Sequence, residues 1–155
     1  MARRHKGQLE ATGLRVGIVV ARFNSVVTDR LLQGALRALQ QCGAPDHQVE
    51  ITHVPGAFEV PLVAQLLARS GKFDALICLG AIVRGETRHH DYLAHAVFGA
   101  LQHVQLACQV PIALGILTTE NVEQALARAA DDPGNKGFEA AMTAVETANL
   151  LRQVG

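Results

Sequence analysis

Four short apolar runs, interleaved with stretches of helical spacing, constrain the fold of this chain more than any other feature. The runs are Arg15 to Ala21, Val49 to Val54, Ala75 to Gly80 and Pro111 to Leu117. Three of them are nearly continuous rather than alternating, the pattern of strands covered on both faces. Between and after them, apolar residues recur at about one-turn spacing. The sets are Leu31, Leu32, Ala35, Leu36, Leu39; Val60, Val63, Leu66, Leu67; Leu93, Val97, Ala100, Leu101, Val104; Val122, Ala125, Leu126, Ala129; and Phe138, Ala141, Met142, Val145, Ala148. Each set falls on one face of a helix. Strands alternating with helices imply right-handed crossovers and a parallel sheet with helices on both sides. The expected fold is therefore α/β, a three-layer α/β/α sandwich around a four-stranded, mainly parallel sheet. At 155 residues the chain is long enough for one such core and short for two. We expect a single domain over residues 1–155, with 1–13 as a peripheral N-terminal segment.

Composition narrows the partners. The chain is 49% apolar but only 4% aromatic, so the core must be aliphatic. Lys plus Arg and Asp plus Glu balance at 14 each, which leaves no basic footprint for nucleic acid or an anionic membrane. Neither partner is expected, and any anion site must be local. Cys42, Cys78 and Cys108 lack the paired spacing of a disulfide framework or a zinc site. The basic start is followed by no apolar leader core, and no later run reaches the length of a membrane span. These features together predict a cytoplasmic protein.

In open parallel sheets, ligands bind beyond the carboxyl ends of the strands. The loops there are Arg22 to Asn24, Pro55 to Glu59, Ala81 to Asp91, and Thr118-Thr119. The third gathers a glycine, a hydroxyl, two guanidiniums and two imidazoles just before a helix, which suits a phosphate or carboxylate. Seen alone it is also an ordinary polar loop. His89 is a candidate proton carrier because imidazole titrates near neutrality. His90, Asp91 and His95 do not match a metal-ligand signature and read as solvated helix polarity. Arg128 stands near Asp131 and Asp132, where a surface ion pair is the plain reading. Gly134-Asn135-Lys136-Gly137 lacks the ending of a phosphate-binding P-loop and alone is a Gly-rich turn. Phe23 can pack in the core or stack on a flat ring.

Taken together, five ordered segments resemble the lumazine synthase family, from about Leu14 to Leu151. They are Arg22-Phe23-Asn24; Val54 to Pro61; Arg84-Gly85-Glu86-Thr87; Leu117 to Asn121; and Gly134 to Ala141. The resemblance implies condensation of 5-amino-6-ribitylaminouracil with 3,4-dihydroxy-2-butanone 4-phosphate to 6,7-dimethyl-8-ribityllumazine, with no cofactor and no metal. It implies that Phe23 stacks on the pyrimidine, and that Ala57, Phe58 and Glu59 hold the ribityl chain. Backbone around Ala81, Ile82 and Val83 would bond the pyrimidine edge. Glu86, Thr87, Arg128 and Lys136 would hold or line the phosphate, and His89 would transfer protons.

The chain departs from the family pattern at a few places. Arg88 stands for Pro and His90 for Phe, which predicts a more charged, less rigid loop. Leu114 stands for a Phe that packs on the pyrimidine from the neighbouring subunit. Ala96, Gly99 and Ala100 alter the middle of the third helix. The family pattern also implies a homo-oligomer, a pentamer or a 60-subunit capsid, and admits riboflavin synthase as a partner. Two rival readings are an archaeal-type riboflavin synthase and a binding or shell protein with weakened catalysis.

Overall fold

The computed structural model describes residues 1–155. Its four strands are β1 (Val16–Ala21), β2 (Val49–Val54), β3 (Ala75–Val83) and β4 (Ile112–Thr119), in the spatial order β2-β1-β3-β4. Every neighbouring pair is parallel, so the sheet is wholly rather than mainly so. The helices are α1 (Ser25–Gln41), α2 (Val60–Arg69), α3 (His89–Cys108), α4 (Val122–Arg128) and α5 (Lys136–Val154).

Alternation along the strands builds two cores. Val16, Ile18 and Val20 of β1 join Ile77 and Leu79 of β3 against α1, α4 and α5. Val19 and Ala21 join Leu76, Cys78 and Ile82 against α2 and α3. The continuous runs are thus apolar because both faces are covered. Each large aliphatic side chain buried this way contributes about 1.5–3 kcal/mol. β2 is the exception that its polar alternation predicts. It lies at the sheet edge, with Glu50, Ile51 and His53 exposed.

Strands β3 and β4 run further than their apolar patterns suggest. β3 continues through Ala81, Ile82 and Val83, and β4 through Thr118 and Thr119, because these residues pair with one another in register. The ladder satisfies backbone groups whatever the side chain is, so the two threonines extend the strand rather than open a loop.

Residues 6–10 lie along α5. Asn149 Nδ2 donates to the carbonyls of Gln8 and Glu10 at 2.6 and 2.8 Å, and Gln153 Nε2 to that of Lys6 at 2.7 Å. At the amino ends of the strands, Asp74 accepts from the Arg15 backbone N–H at 2.8 Å and faces the guanidiniums of Arg15 and Arg152. Burial disfavours its ionised form, but the Arg15 hydrogen bonds and the two positive charges outweigh that and hold its carboxyl below the usual range. No helix is long and apolar enough to cross a membrane.

Candidate active site

The chain leaves β1 toward β2 on one side and enters β3 on the other, so the strand order reverses between β1 and β3. A crevice opens at the carboxyl ends of such strands. The β1–β3 ladder stops at Val20 and Leu79, which leaves the β1-facing backbone edge of Ala81 to Val83 without a strand partner. Ala81 and Ile82 are buried and Val83 half-buried.

The loops after β1 and β2 are tied together across this point. Arg22 and Phe23 donate their N–H groups to the Pro55 carbonyl at 3.1 and 2.8 Å. Asn24 adopts the left-handed region (φ 64°), and its Nδ2 donates to the Ala81 carbonyl at 2.9 Å. The Phe23 ring lies on Gly56 so closely that a Cβ there would approach Cδ2 to 2.5 Å. A side chain at position 56 would therefore displace the ring from this seat. A single 3-10 turn, Ala57–Glu59, follows, and one Glu59 oxygen accepts the Gly56 N–H at 3.0 Å. Phe23 and Phe58 remain 62% and 65% exposed, which is unusual for aromatic rings in a chain with so few. They line a cleft of about 450 Å³ with Ala57, Glu59, His89 and Tyr92.

His89 opens α3, and its backbone N–H donates to the Thr87 hydroxyl oxygen at 3.2 Å. Thr87 thus holds the first turn in place. Glu86 and Arg88 are exposed, and Gly85 has open space around it. Arg84 is turned away toward Glu120, 3.1 Å distant.

His90 corrects the expectation of solvated polarity. It is buried, with Nε2 3.0 Å from Asp91 Oδ1, while its Nδ1 has no partner. The first turn of α3 faces β4, and the substituted position points inward there.

Leu114, Arg128 and Lys136 lie elsewhere, in a second cleft of about 570 Å³ on the β4 side of the sheet. Leu114 is half exposed. Lys136 Nζ is 2.9 Å from Glu139. Arg128 does not form the ion pair expected of it, because Asp131 pairs with Arg37 of α1 at 3.2 Å and Asp132 caps the Gly134 N–H at 2.8 Å. Its guanidinium also lines a wider cleft of about 760 Å³ with His95, Thr118 and Gln124.

Within one chain, then, the candidate residues form two groups that share no cleft. Phe23, Ala57, Phe58, Glu59 and His89 line one; Leu114, Arg128 and Lys136 line the other. Sequence reasoning overlooked Tyr92 and Leu93 in the first group, although both lie within a turn of His89 on α3. Asn24 was named only as part of the loop after the first strand, without a role of its own; its bond to the Ala81 carbonyl gives it one.

Comparison with known proteins bears on what these clefts do. The family model described as 6,7-dimethyl-8-ribityllumazine synthase matches residues 13–152. A relative from Desulfatibacillum aliphaticivorans with that same name is 52% identical over 153 residues, covering 99% of each chain.

Proposed function

This chain belongs to the 6,7-dimethyl-8-ribityllumazine synthase family, and from that premise we propose how its residues carry out the reaction. The enzyme condenses 5-amino-6-ribitylaminouracil with 3,4-dihydroxy-2-butanone 4-phosphate, forms 6,7-dimethyl-8-ribityllumazine, and releases phosphate and water. It is a transferase of riboflavin biosynthesis with a flavodoxin-like strand order. The close match over the whole length does not favour the archaeal-type riboflavin synthase or a shell protein without catalysis.

The observation that carries the assignment of roles is the Phe23 ring seated on Gly56, with the next residue, Asn24, bonded to the Ala81 carbonyl on the β3 edge that β1 leaves without a strand partner. A planar pyrimidine in the first cleft stacks on that ring and bonds peptide groups along that edge. The ribityl chain runs over Ala57, Phe58 and Glu59, where a glutamate oxygen not held by Gly56 accepts from hydroxyls. His89 stands at the mouth of the same cleft. Amine attack on the ketone, loss of water, elimination of phosphate and ring closure each move protons, and an imidazole can take and return them. No step requires a covalent link to the protein. Holding two reactants in register supplies much of the rate, since effective molarities of about 10⁵ M and above are reached by well-oriented groups.

The phosphate needs cations, and the free guanidinium of Arg128 with Lys136 lies in the second cleft. Glu86 and Thr87 stand on the exposed loop before His89, where Thr87 accepts the His89 N–H. One chain cannot bring these together, which supports a site closed between two copies: Leu114, Arg128 and Lys136 of one copy face Phe23, Thr87 and His89 of the next. The surface of α3 favours such assembly. From Tyr92 to Cys108 it carries no Asp, Glu, Lys or Arg, and Tyr92, Ala96, Gly99 and Leu106 are exposed on it. Leu62 and Leu66 of α2 add a further apolar surface, 73% and 70% exposed. A pentamer, or a capsid built from pentamers, fits this reading. A cytoplasmic location also fits, given three free thiols.

Mixing the two substrates and following the absorbance of the lumazine tests the activity directly, and no product would refute it. Light scattering under assay conditions tests the assembly. A catalytically active monomer would sink the shared site.

A further inference from the structure

The turn Gly134 to Gly137 reads in sequence as a simple link before the last helix. Its Asn135 is nevertheless the most deeply buried polar side chain of the molecule, at 0% exposure. Its amide nitrogen donates to the carbonyls of Ala129 and Ala130 at 3.0 Å each and of Arg30 at 3.2 Å. Its Oδ1 accepts the Phe138 N–H at 3.0 Å, capping α5. One amide therefore joins the end of α4, the start of α5 and the middle of α1.

The neighbouring glycines are shaped around this contact. A Cβ at Gly34 of α1 would fall 2.1 Å from Asn135 Oδ1, and one at Gly137 would fall 2.0 Å from the Leu31 carbonyl oxygen. Helices α1 and α5 meet backbone to backbone, with the amide filling what space is left. The two cations of the second cleft lie at the ends that this amide joins. Arg128 is the last residue of α4 and Lys136 the first of α5. A helix of seven residues has little stability of its own, and its side-chain cap, Asn121, is at the end away from Arg128.

We infer that Asn135 is a positioning residue that sets Arg128 and Lys136 as one preformed clamp for the phosphate group of the four-carbon substrate. The inference rests on the phosphate reading of the second cleft given above. Asn135 touches no substrate; it acts through the two helix ends. The burial and the complete pairing of its amide make the clamp rigid before substrate arrives, which saves the ordering that a loose loop would require on binding.

The experiment compares Asn135→Ser with Gly34→Ala. Serine retains an acceptor near the α5 cap but cannot span to the three carbonyls. Alanine at position 34 leaves Asn135 in the chain and pushes its amide aside, while being the better residue for α1 itself. In the folded variants, the Michaelis constant for the butanone phosphate should rise about tenfold to a hundredfold, as expected when a binding group is misplaced. That for the pyrimidine should stay within about twofold, whereas general loosening of the fold would raise both. Equal rises, or no rise in a folded variant, would overturn the inference. If neither variant folds, hydrogen exchange of the unaltered protein decides: the Phe138 amide must be protected as well as those at the centre of α5, and rapid exchange overturns a preformed clamp. Arg128→Ala separates the two levels. If it leaves the phosphate substrate unaffected, the phosphate reading fails; if it weakens that substrate while folded Asn135→Ser does not, only the clamp fails.

Discussion

The two clefts are built by different means. The one at the β1–β3 reversal is made of backbone: two loops bonded through the Pro55 carbonyl, a glycine that admits the Phe23 ring, and a strand edge left free where β1 ends. The one on the β4 side is made of helix ends, with Arg128 closing α4 and Lys136 opening α5, held together by a buried amide. A flat, largely neutral pyrimidine suits the first, where stacking and peptide hydrogen bonds discriminate shape. A doubly charged phosphate suits the second. On the proposed reading, the contrast teaches that a two-substrate site can be divided between a region that topology creates and a region that a single tertiary contact holds.

Substitutions at the two clefts should therefore fail in different ways. The largest effect is expected at Arg128. Removing a charge-assisted phosphate contact is worth about 1.5–3 kcal/mol. Steady-state kinetics of Arg128→Ala should show the Michaelis constant for the butanone phosphate raised by the corresponding factor, with pyrimidine affinity nearly unchanged. A weakened pyrimidine with the phosphate substrate spared would reverse the assignment of the clefts.

His89→Ala should lower turnover more than affinity. General acid–base catalysis is worth about 10² to 10⁴, and because solvent and buffer also carry protons here we expect about 10² or less. A variant with no measurable turnover would mean that His89 does more than move protons.

A smaller gain is expected from Leu114→Phe. A ring facing the pyrimidine should add about 0.5–1.5 kcal/mol beyond its area, read as tighter binding of a pyrimidine substrate analogue in titration calorimetry. Unchanged affinity would separate Leu114 from the neighbouring copy's first cleft.

The smallest effect belongs to Asp74, which lies at the other end of the sheet and should touch neither cleft. Its carboxyl titrates lower in the fold than in the unfolded chain, so the unfolded chain binds more protons in acid. Its contribution is complete above the ordinary carboxylate pKa and is lost as pH falls through the lower folded value. Asp74→Asn should cost about 1 kcal/mol or less near neutrality and flatten the acid side of the thermal stability profile, with both Michaelis constants unchanged.

The sequence by itself determined the layer order and the location of the first cleft. Period-two and period-3.6 patterns report directly which faces are covered, and a parallel sheet places its ligand loops at the carboxyl ends whatever the details of packing. The loops that carry Phe23, Phe58 and His89 were legible for that reason, while the roles proposed for these residues came from the family resemblance. Other features depended on partners distant in the chain. Thr118 and Thr119 became strand because β3 pairs with them, and His90 turned inward because the start of α3 faces β4. Arg128 was left free because Arg37, ninety-one positions before it, takes Asp131. Only the tertiary structure could decide these, since a charge or a hydroxyl near in sequence has no fixed neighbour until helices and strands pack. The same holds for Asn135. As a residue in a glycine turn it looks ordinary, and it becomes a clasp only when α1 brings Gly34 and the Arg30 carbonyl against it.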